Sequence, residues 1–449
     1  MQSIAFPSEL SGNVAGFVAY VECLRTLANT REGCISSQRM ELAKDVNKSP
    51  SDETYRGKPT VWEQRRRWLC IIVVAALALL AAERLAVGFH ALVAGGDRRA
   101  AVDLLSRRTE VQSWFAGEPV YGRIASAIYP PATYAMLWPL LGWTTPTAAR
   151  FVWTAVMLAS LVALIGLLLR AAGASSGCVR MLVMLTVASS QAVSYGIEVG
   201  QLSVPTMALA LAGVALLVRR PATVWRQASA AALLAASLAK PSLTAPLLLV
   251  ALLAPAGPAA PLAAMTCYAG VTAWVARFQA IPLADLAHDW LNASRMATKG
   301  WGYGNLHRWL ADLRMEHWMP AVWLLVLLAL GWWVWRQRSH DPWWLLAVSA
   351  VIARMWSYHQ LYDDILVLVP MAWLLRVTQD DERPRRERIA AGAALLFAWV
   401  PFVAPARFLL LPHSTEGTLN AIRTTGWLLM LGALLVVGRP LAGGGAAGE

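Results

Sequence analysis

The sequence predicts an all-α integral membrane protein, a bundle of about twelve transmembrane helices. Hydrophobic residues make up 57% of the 449 residues and charged residues only 15%, against about 25% charged in soluble domains. The mean hydropathy is +0.48. Apolar runs near the length of about 20 residues that crosses a bilayer recur from Trp68 to Val437. A soluble fold of this size would not need so many such runs.

The first 67 residues differ from the rest of the chain, because they are polar and carry ten Lys or Arg and eight Asp or Glu. We expect a poorly ordered cytoplasmic tail at 1–67. The apolar stretch Val14–Leu24 contains Glu22 and follows no basic region, so neither a span nor a signal peptide is expected there. The first predicted span, Trp68–Phe89, follows Arg65–Arg67, and these arginines place the N-terminus inside.

Two polar loops and a proline divide the remaining sequence. The loops Gly95–Ile128 and Phe278–Trp318 are predicted to lie outside, and Tyr129–Trp143 is too short to cross the membrane. Proline removes a helix donor and clashes with the preceding turn, so Lys240-Pro241 predicts two short or half-embedded helices in Gln227–Leu253. If these two only dip into the membrane, ten full spans remain. The other predicted spans are Phe151–Leu169, Met181–Ser194, Leu202–Val218, Pro261–Val275, Met319–Trp335, Trp343–Tyr358, Ile365–Leu375, Ile389–Phe408 and Leu419–Val437.

The distribution of charge supports this layout. Of the 39 Lys and Arg, 23 fall in predicted cytoplasmic segments and nine in the two outer loops. This bias predicts that both termini are cytoplasmic, with a transmembrane domain at 68–440 and a flexible tail at 441–449. The net charge of +12 does not indicate a nucleic-acid partner, because the basic residues are not gathered into one patch.

Several kinds of site are missing from the sequence. The five cysteines have no CxxC spacing, so neither a disulfide framework nor a zinc site is indicated. No GxxxxGK[ST] loop and no GxGxxG in a strand–helix setting occurs. A nucleotide-sugar donor, an ATP-driven step, a cofactor and a metal ion are therefore not expected.

A series of short polar motifs lies on the predicted outer side. Asp103-Leu104-Leu105 is followed by Gly117, fourteen residues after the Asp, and by Tyr121. The later motifs are Tyr129-Pro130-Pro131, Gly200-Gln201, Lys240-Pro241, Gly304-Asn305 and Tyr358-His359-Gln360-Leu361-Tyr362-Asp363. In their order, over roughly residues 70–440, these motifs resemble those of glycosyltransferase family 87.

The resemblance implies a GT-C fold, with the site carried by extracytoplasmic loops, and a membrane hexosyltransferase. Such an enzyme passes a sugar, mannose or another hexose, from a polyprenyl-phosphate donor to a lipid or glycan acceptor, with inversion. The expected place is the outer face of the bacterial cytoplasmic (inner) membrane, and the expected partners are the donor, the acceptor and membrane lipids. Leu104 stands where the family more often has Phe or Tyr, which leaves the donor sugar open.

Sugar transfer with inversion needs a base for the proton of the acceptor hydroxyl, and a carboxylate near the interface suits this role. Asp103 lies beyond the first span and in register with the opening motif, so it is the predicted general base. The alternatives are a solvated carboxylate or an ion pair with Arg99 or Arg107. Asp97 is a rival base without the spacing to the motif glycine.

The leaving lipid phosphate calls for cations near the outer surface, and we predict that Lys240, Arg354 and His359 hold it. A lysine at the bilayer centre costs about 2.5–3.5 kcal/mol on insertion scales, so Lys240 should either serve the site or snorkel to the interface. Arg354 precedes His359 by five residues, which is not a same-face spacing. The two can grip one phosphate only if the helix ends or bends between them, and an ion pair is the alternative for Arg354.

Polar residues of the later motifs are predicted to bind the sugar or the acceptor: Gln201, Asn305, Tyr362 and Asp363. Helix-end capping is the alternative for Gln201 and Asn305. Asp363 and Asp364 are adjacent and cannot form a close dyad on a helix. One is expected to pair with a cation and the other to face water.

Most tryptophans near the predicted span ends fit an interfacial aromatic belt, although Trp301 or Tyr303 could stack on a sugar. Two other function classes fit the spans alone. One is a transporter or lipid flippase, which internal inverted repeats would support, and no such repeat is evident. The other is a non-catalytic membrane scaffold.

Overall fold

The computed structural model describes residues 61–95, 100–218, 223–254, 256–298, 304–403 and 416–438. All regular secondary structure in these residues is helical, so the all-α prediction is confirmed. Of the predicted tail at 1–67, residues 1–60 lie outside the described residues, whereas 61–67 form the start of the first helix and are therefore not a poorly ordered tail. The tail at 441–449, and Asp97, Arg99, Trp301 and Tyr303, also lie outside the described residues. The helices are α1 (Val61–Ala94), α2 (Val102–Phe115), α3 (Pro131–Leu141), α4 (Pro146–Ala171), α5 (Gly177–Ser189), α6 (Gln191–Val199), α7 (Ser203–Val218), α8 (Val224–Ser237), α9 (Pro241–Leu252), α10 (Ala259–Ala276), α11 (Leu283–Thr298), α12 (Leu306–Asp312), α13 (Met319–Arg336), α14 (Pro342–Trp356), α15 (Leu368–Gln379), α16 (Arg385–Val403) and α17 (Glu416–Val437), with 3-10 helices at Glu316–Trp318 and Leu361–Val367.

Five helical segments of the described chain are long and apolar enough to cross a membrane. They are Ile71–Ala94, Pro146–Ala171, Ala259–Ala276, Glu316–Arg336 and Asn420–Val437. A sixth crossing results if α5 and α6, which meet at 45°, count as one span. The apolar helices α7 and α14 coincide with predicted spans but have only 16 and 15 residues, and α9, with 12 residues, is one of the two predicted short helices. Twelve full spans are therefore not confirmed, because several predicted spans are shorter helices.

The bend between α5 and α6 is stabilised from α1. Ser190 caps α6, since its Oγ accepts the backbone N–H of Val193 at 3.2 Å. Arg84 of α1 is buried and donates to the carbonyl of Ser189, and Ser194 Oγ donates to the carbonyl of Arg84. A break at membrane depth needs such partners, because no water is present there to satisfy free backbone groups.

The predicted break at Lys240-Pro241 is confirmed. Helix α8 ends at Ser237 and α9 begins at Pro241, so that Lys240 lies between two helices of 14 and 12 residues. Thr244 Oγ1 donates to the carbonyl of Ser237 at 2.9 Å, and Thr133 of α3 donates to that of Ala239 at 2.9 Å. The first bond goes to the carbonyl that the N–H of residue 241 would reach in a continuous helix, and proline has no such N–H. The second bond ties the break to α3.

The segments predicted for opposite sides of the membrane meet at opposite ends of the bundle. At one end the two predicted outer loops touch, because Trp290 Nε1 donates to the carbonyl of Ile128 at 2.9 Å. At the other end Arg376 pairs with Asp341 at 2.9 Å, and both belong to segments predicted to be cytoplasmic. The polar motifs gather at the first of these ends.

Candidate active site

Asp103 lies in the first turn of α2 and is positioned by the end of α6. The backbone N–H of Ala101 donates to the carbonyl of Glu198 at 2.8 Å, and Leu104 is fully buried. Gly200 has φ +73°, and a Cβ on it would lie 2.6 Å from Cβ of Leu104. Only glycine allows this approach, so the motif glycine fixes how closely α2 packs on α6.

Gln201 links Asp103 to Tyr129. Its Nε2 donates to Oδ2 of Asp103 at 2.8 Å, and its Oε1 accepts the hydroxyl of Tyr129 at 2.8 Å. Burial raises the pKa of the Tyr129 hydroxyl, so this group stays protonated and donates. The same Oε1 also accepts the backbone N–H of Leu202 at 2.8 Å. Gln201 therefore orients the predicted base, a contact that the sequence did not suggest.

The carboxyl group of Asp103 is half-buried and has a neutral partner. Burial raises its pKa above the usual value, against the opposing charges of Arg107 and Lys240. Arg107 pairs with Glu110 at 2.7 Å and not with Asp103, so the expected alternative of an Arg107 ion pair is wrong. The result is a carboxylate that is more basic than usual and partly open to solvent.

Lys240 is buried in a network of polar groups. Its Nζ lies 2.5 Å from Oδ1 of Asp363 and 2.9 Å from Oγ of Ser203, and Ser203 donates to the same Oδ1 at 2.7 Å. The ammonium group also lies 4.6 Å from the ring centroid of Tyr362. Lys240 is only 5% exposed, so it does not snorkel to the interface. The structure brings three predicted site residues together here.

His359 approaches the same carboxylate from the other side. Its Nδ1 lies 3.2 Å from Oδ2 of Asp363, and its Nε2 lies 2.7 Å from the carbonyl of Ala353. A carbonyl can only accept, so Nε2 carries a proton that it donates to Ala353. The carboxylate of Asp363 is thus flanked by Lys240 and His359.

Arg354 belongs to a second, separate ion pair. Helix α14 ends at Trp356, so the condition that a helix end separates Arg354 from His359 is met. However, Nε of Arg354 lies 2.5 Å from Oδ1 of Asp364, and its guanidinium lies 4.2 Å from the ring of Trp427. Arg354 is fully buried, which matches the ion-pair alternative.

The expectation that one of the two adjacent aspartates faces water is wrong. Asp363 and Asp364 are 1% and 4% exposed, and each pairs with its own cation. Two adjacent side chains of a helix point in different directions, and here Lys240 lies on one side and Arg354 on the other. Charge pairing, rather than solvent, therefore neutralises both carboxylates.

Asn305 takes the capping role that the sequence left open. It is 1% exposed, and its Oδ1 accepts the backbone N–H of Arg308 at 2.8 Å at the start of α12. The preceding Gly304 has φ +60°, and a Cβ on it would lie 2.2 Å from Oγ1 of Thr424. The Gly304-Asn305 motif thus shapes the entry into α12.

A cavity of about 220 Å³ lies beside this network. Lys240, Tyr362 and Asp363 form part of its wall, and Tyr129 connects it to Gln201 and Asp103. The other lining residues are Ile128, Pro130, Pro241, Ser242, Ala245, Trp290, Leu291, Ser294, His307, Trp323, Trp356, Ser357 and Tyr358. The cavity is therefore bounded by both predicted outer loops and by the cationic centre.

Sequence reasoning missed three side chains of this site. Ser203 follows Gln201 by two residues and could have been found from that spacing. The Tyr129 hydroxyl belongs to a recognised motif, but nothing local shows that it meets Gln201. His307 likewise follows the motif residue Asn305 by two positions, but nothing local shows that it reaches the cavity.

The described residues contain no group of three His, Cys, Asp or Glu side chains that could hold a metal ion. Glu110, Asp363 and Asp364 pair with cations, and Asp103 receives a hydrogen bond from an amide. The arrangement offers a proton acceptor, a buried ammonium group and an adjoining cavity, which are the parts needed to move a sugar from an anionic leaving group to a hydroxyl.

Comparison with protein families matches residues 127–357, just over half of the chain, to the model of glycosyltransferase family 87. Gln201, Lys240, Asn305 and Arg354 lie inside the matched range, and Asp103 lies before it. Neither the curated proteins nor the solved structures include a match.

Proposed function

The chain belongs to glycosyltransferase family 87, and from this premise we propose that it transfers a hexose, mannose or a related sugar, from a polyprenyl-phosphate carrier. The acceptor is a lipid or glycan, and Asp103 is the general base. The reaction takes place at the outer face of the bacterial cytoplasmic membrane. Both termini lie in the cytoplasm.

The environment of Asp103 carries this proposal. Three other carboxylates of the site, Glu110, Asp363 and Asp364, each have a cation as partner. Asp103 instead receives a hydrogen bond from the neutral amide of Gln201, and burial raises its pKa. Burial raises the pKa of Glu110 as well, but Glu110 is fully buried and bonded to Arg107 and Ser126. Asp103 is only half-buried, so among these four carboxylates it is the proton acceptor that an incoming hydroxyl can best reach.

The donor, the acceptor and Asp103 supply every atom and proton that the transfer needs. The acceptor oxygen attacks the anomeric carbon of the donor from the face opposite the phosphate, and the carbon–oxygen bond to the phosphate breaks. The acceptor proton passes to Asp103, and the electron pair leaves with the polyprenyl phosphate. Attack from the opposite face inverts the anomeric configuration.

Lys240 is the cation best placed for the donor phosphate. It borders the cavity, and two of its three N–H donors go to Ser203 and Asp363. His359 and Arg354 are fully buried behind it, at Asp363 and Asp364. We propose that these two support the phosphate site indirectly. Arg354 neutralises Asp364, so that Lys240 has only Asp363 to balance, and His359 packs against Asp363 while its Nε2 donates to the carbonyl of Ala353.

The test compares a deletion strain complemented with the wild-type gene, with Asp103→Asn, or with Asp312→Asn. Asp312 is an exposed carboxylate paired with Arg308 at 3.0 Å, so Asp312→Asn is the matched control. Mass spectrometry of lipids and glycans should show one acceptor that loses a hexose in the deletion strain. Wild type and Asp312→Asn should restore it, and Asp103→Asn should reduce transfer by about 10²-fold or more.

Membrane protein levels and a monodisperse solubilised protein establish that each variant folds. Restoration of the hexose by Asp103→Asn contradicts the assignment of the base. A purified protein that moves a lipid-linked sugar across vesicles without transferring it favours a flippase instead.

A further inference from the structure

Two side chains in the cavity wall have polar atoms without a partner among the described residues. His307 is 1% exposed, and neither of its ring nitrogens has a hydrogen-bond partner. Nε1 of Trp323 is likewise buried and without a partner. The two rings lie 5.3 Å apart, and both line the cavity. Buried polar groups in folded proteins almost always have a partner, so these atoms point to a polar ligand.

The protonation state of His307 narrows the kind of ligand. Burial, aided by the nearby His359, lowers the pKa of His307 to about 4, so the imidazole is neutral at pH 7. A neutral imidazole offers one N–H donor and one lone pair. A sugar hydroxyl is both donor and acceptor and matches this pair, whereas a fully ionised phosphate can only accept.

The rest of the cavity fits a single sugar ring. Its volume of about 220 Å³ is below the range of about 300–1,000 Å³ of pockets for drug-sized ligands. Trp290 and Trp356 add apolar ring surface to the wall, and Lys240 contributes its ammonium group. An isoprenoid chain would leave the nitrogens of His307 and Trp323 unsatisfied.

We propose that this cavity binds the hexose unit of the donor, with His307 and Trp323 bonding to its hydroxyl groups and Lys240 facing its phosphate. The inference rests on the proposed function, because it assumes a lipid-linked hexose as donor. It adds two specificity-determining residues that no motif of the sequence contains.

Binding measurements test the proposal without any acceptor. Purified protein in detergent is titrated with short-chain polyprenyl phosphates carrying mannose, glucose or galactose, and with bare polyprenyl phosphate, and thermal stabilisation reports the affinity. We expect wild type to bind one glycosylated lipid about tenfold more tightly than the bare lipid, as two or so neutral hydrogen bonds would give. His307→Phe keeps a ring against Trp323 and should remove most of this preference.

Further variants separate binding from folding. His307→Gln and His307→Asn each place a polar amide group near the position of one ring nitrogen of His307. At least one of them should therefore keep part of the preference for the glycosylated lipid that His307→Phe loses. Trp323→Phe should weaken the preference as His307→Phe does. His317 is an exposed histidine of the same loop, so His317→Phe is the matched control and should change nothing.

The outcomes distinguish this inference from the proposed function. Equal affinity of wild type for all glycosylated lipids and the bare lipid overturns the sugar site, as does an unchanged preference in a folded His307→Phe protein. A clear preference together with no hexose transfer in the complemented strain overturns the proposed function and leaves the sugar site standing.

Discussion

Replacing Lys240 by methionine removes a cation from a buried ion pair and keeps the length of the side chain. The Nζ–Oδ1 distance to Asp363 is 2.5 Å, and the two side chains are 7% and 2% exposed. Breaking such a pair leaves a buried charge and costs about 3–5 kcal/mol. Asp363 would keep the hydroxyl of Ser203, the N–H of Gln360 and the contact with His359. We therefore expect a loss at the lower end, about 3 kcal/mol.

The opposite replacement, Asp363→Leu, should cost more. It leaves the ammonium group with the oxygen of Ser203 and the ring of Tyr362, which are neutral partners. The loss should approach about 5 kcal/mol. The double variant Lys240→Met/Asp363→Leu buries no unpaired charge at this pair. Replacing both members of a buried pair by apolar side chains is often close to neutral, so the double variant should be more stable than either single variant.

Equilibrium unfolding of the solubilised protein measures the three losses. Losses that simply add in the double variant would show that the two charges are not coupled, and the described ion pair would be refuted. Hexose transfer gives a second readout on the same proteins. If Lys240 contacts the donor phosphate, the folded double variant is inactive. If transfer persists, Lys240 only neutralises Asp363 and its role at the phosphate is wrong.

Hexose transfer should fall as the pH drops through the pKa of Asp103, because the base acts only when it is deprotonated. Burial raises this pKa, so the loss should set in above the usual range of an aspartate. A pH–rate profile measures the effect, and a profile that stays flat contradicts it. Gly200→Ala should lower the free energy of unfolding by roughly 1–2 kcal/mol for the positive φ alone. It should also lower hexose transfer, because the new Cβ would lie 2.6 Å from Cβ of Leu104. Unfolding and transfer assays measure these two effects. Asn305→Ala should lose about 1 kcal/mol of stability by removing the cap of α12, whereas Asn305→Asp should retain most of it in a thermal unfolding experiment.

The helices could largely be predicted from the sequence, because apolar runs and proline act locally. The break at Lys240-Pro241 follows from the covalent geometry of proline alone. The number of full crossings could not be predicted in the same way. The bend at Ser190 depends on Arg84 of α1, a residue more than a hundred positions away, and no periodicity records such a contact.

The candidate site shows the same division. The sequence placed Asp103, Lys240 and Asp363 on one side of the membrane, and the structure brings them to one end of the bundle. The sequence alone could not show that Lys240 pairs with Asp363, because the two residues are 123 positions apart. The sequence also led us to expect that one of the two adjacent aspartates faces water. Arg354 reaches Asp364 instead, because of the way the chain turns after α14, and no local pattern predicts that turn.

Binding of the donor phosphate is expected to make Asp103 a stronger base. The charge of Lys240 lowers the pKa of Asp103 in the structure, although burial outweighs this effect. A donor phosphate bound at Lys240 would offset that positive charge, so the pKa of Asp103 would rise further and the base would become stronger once the donor is in place. The pH dependence of kcat reports the pKa of the base in the enzyme–substrate complex, and that of kcat/KM reports its pKa in the free enzyme. The loss of activity on the acidic side should therefore set in at a higher pH for kcat than for kcat/KM. The same onset for both would mean that the phosphate does not bind near enough to Lys240 to be felt at Asp103.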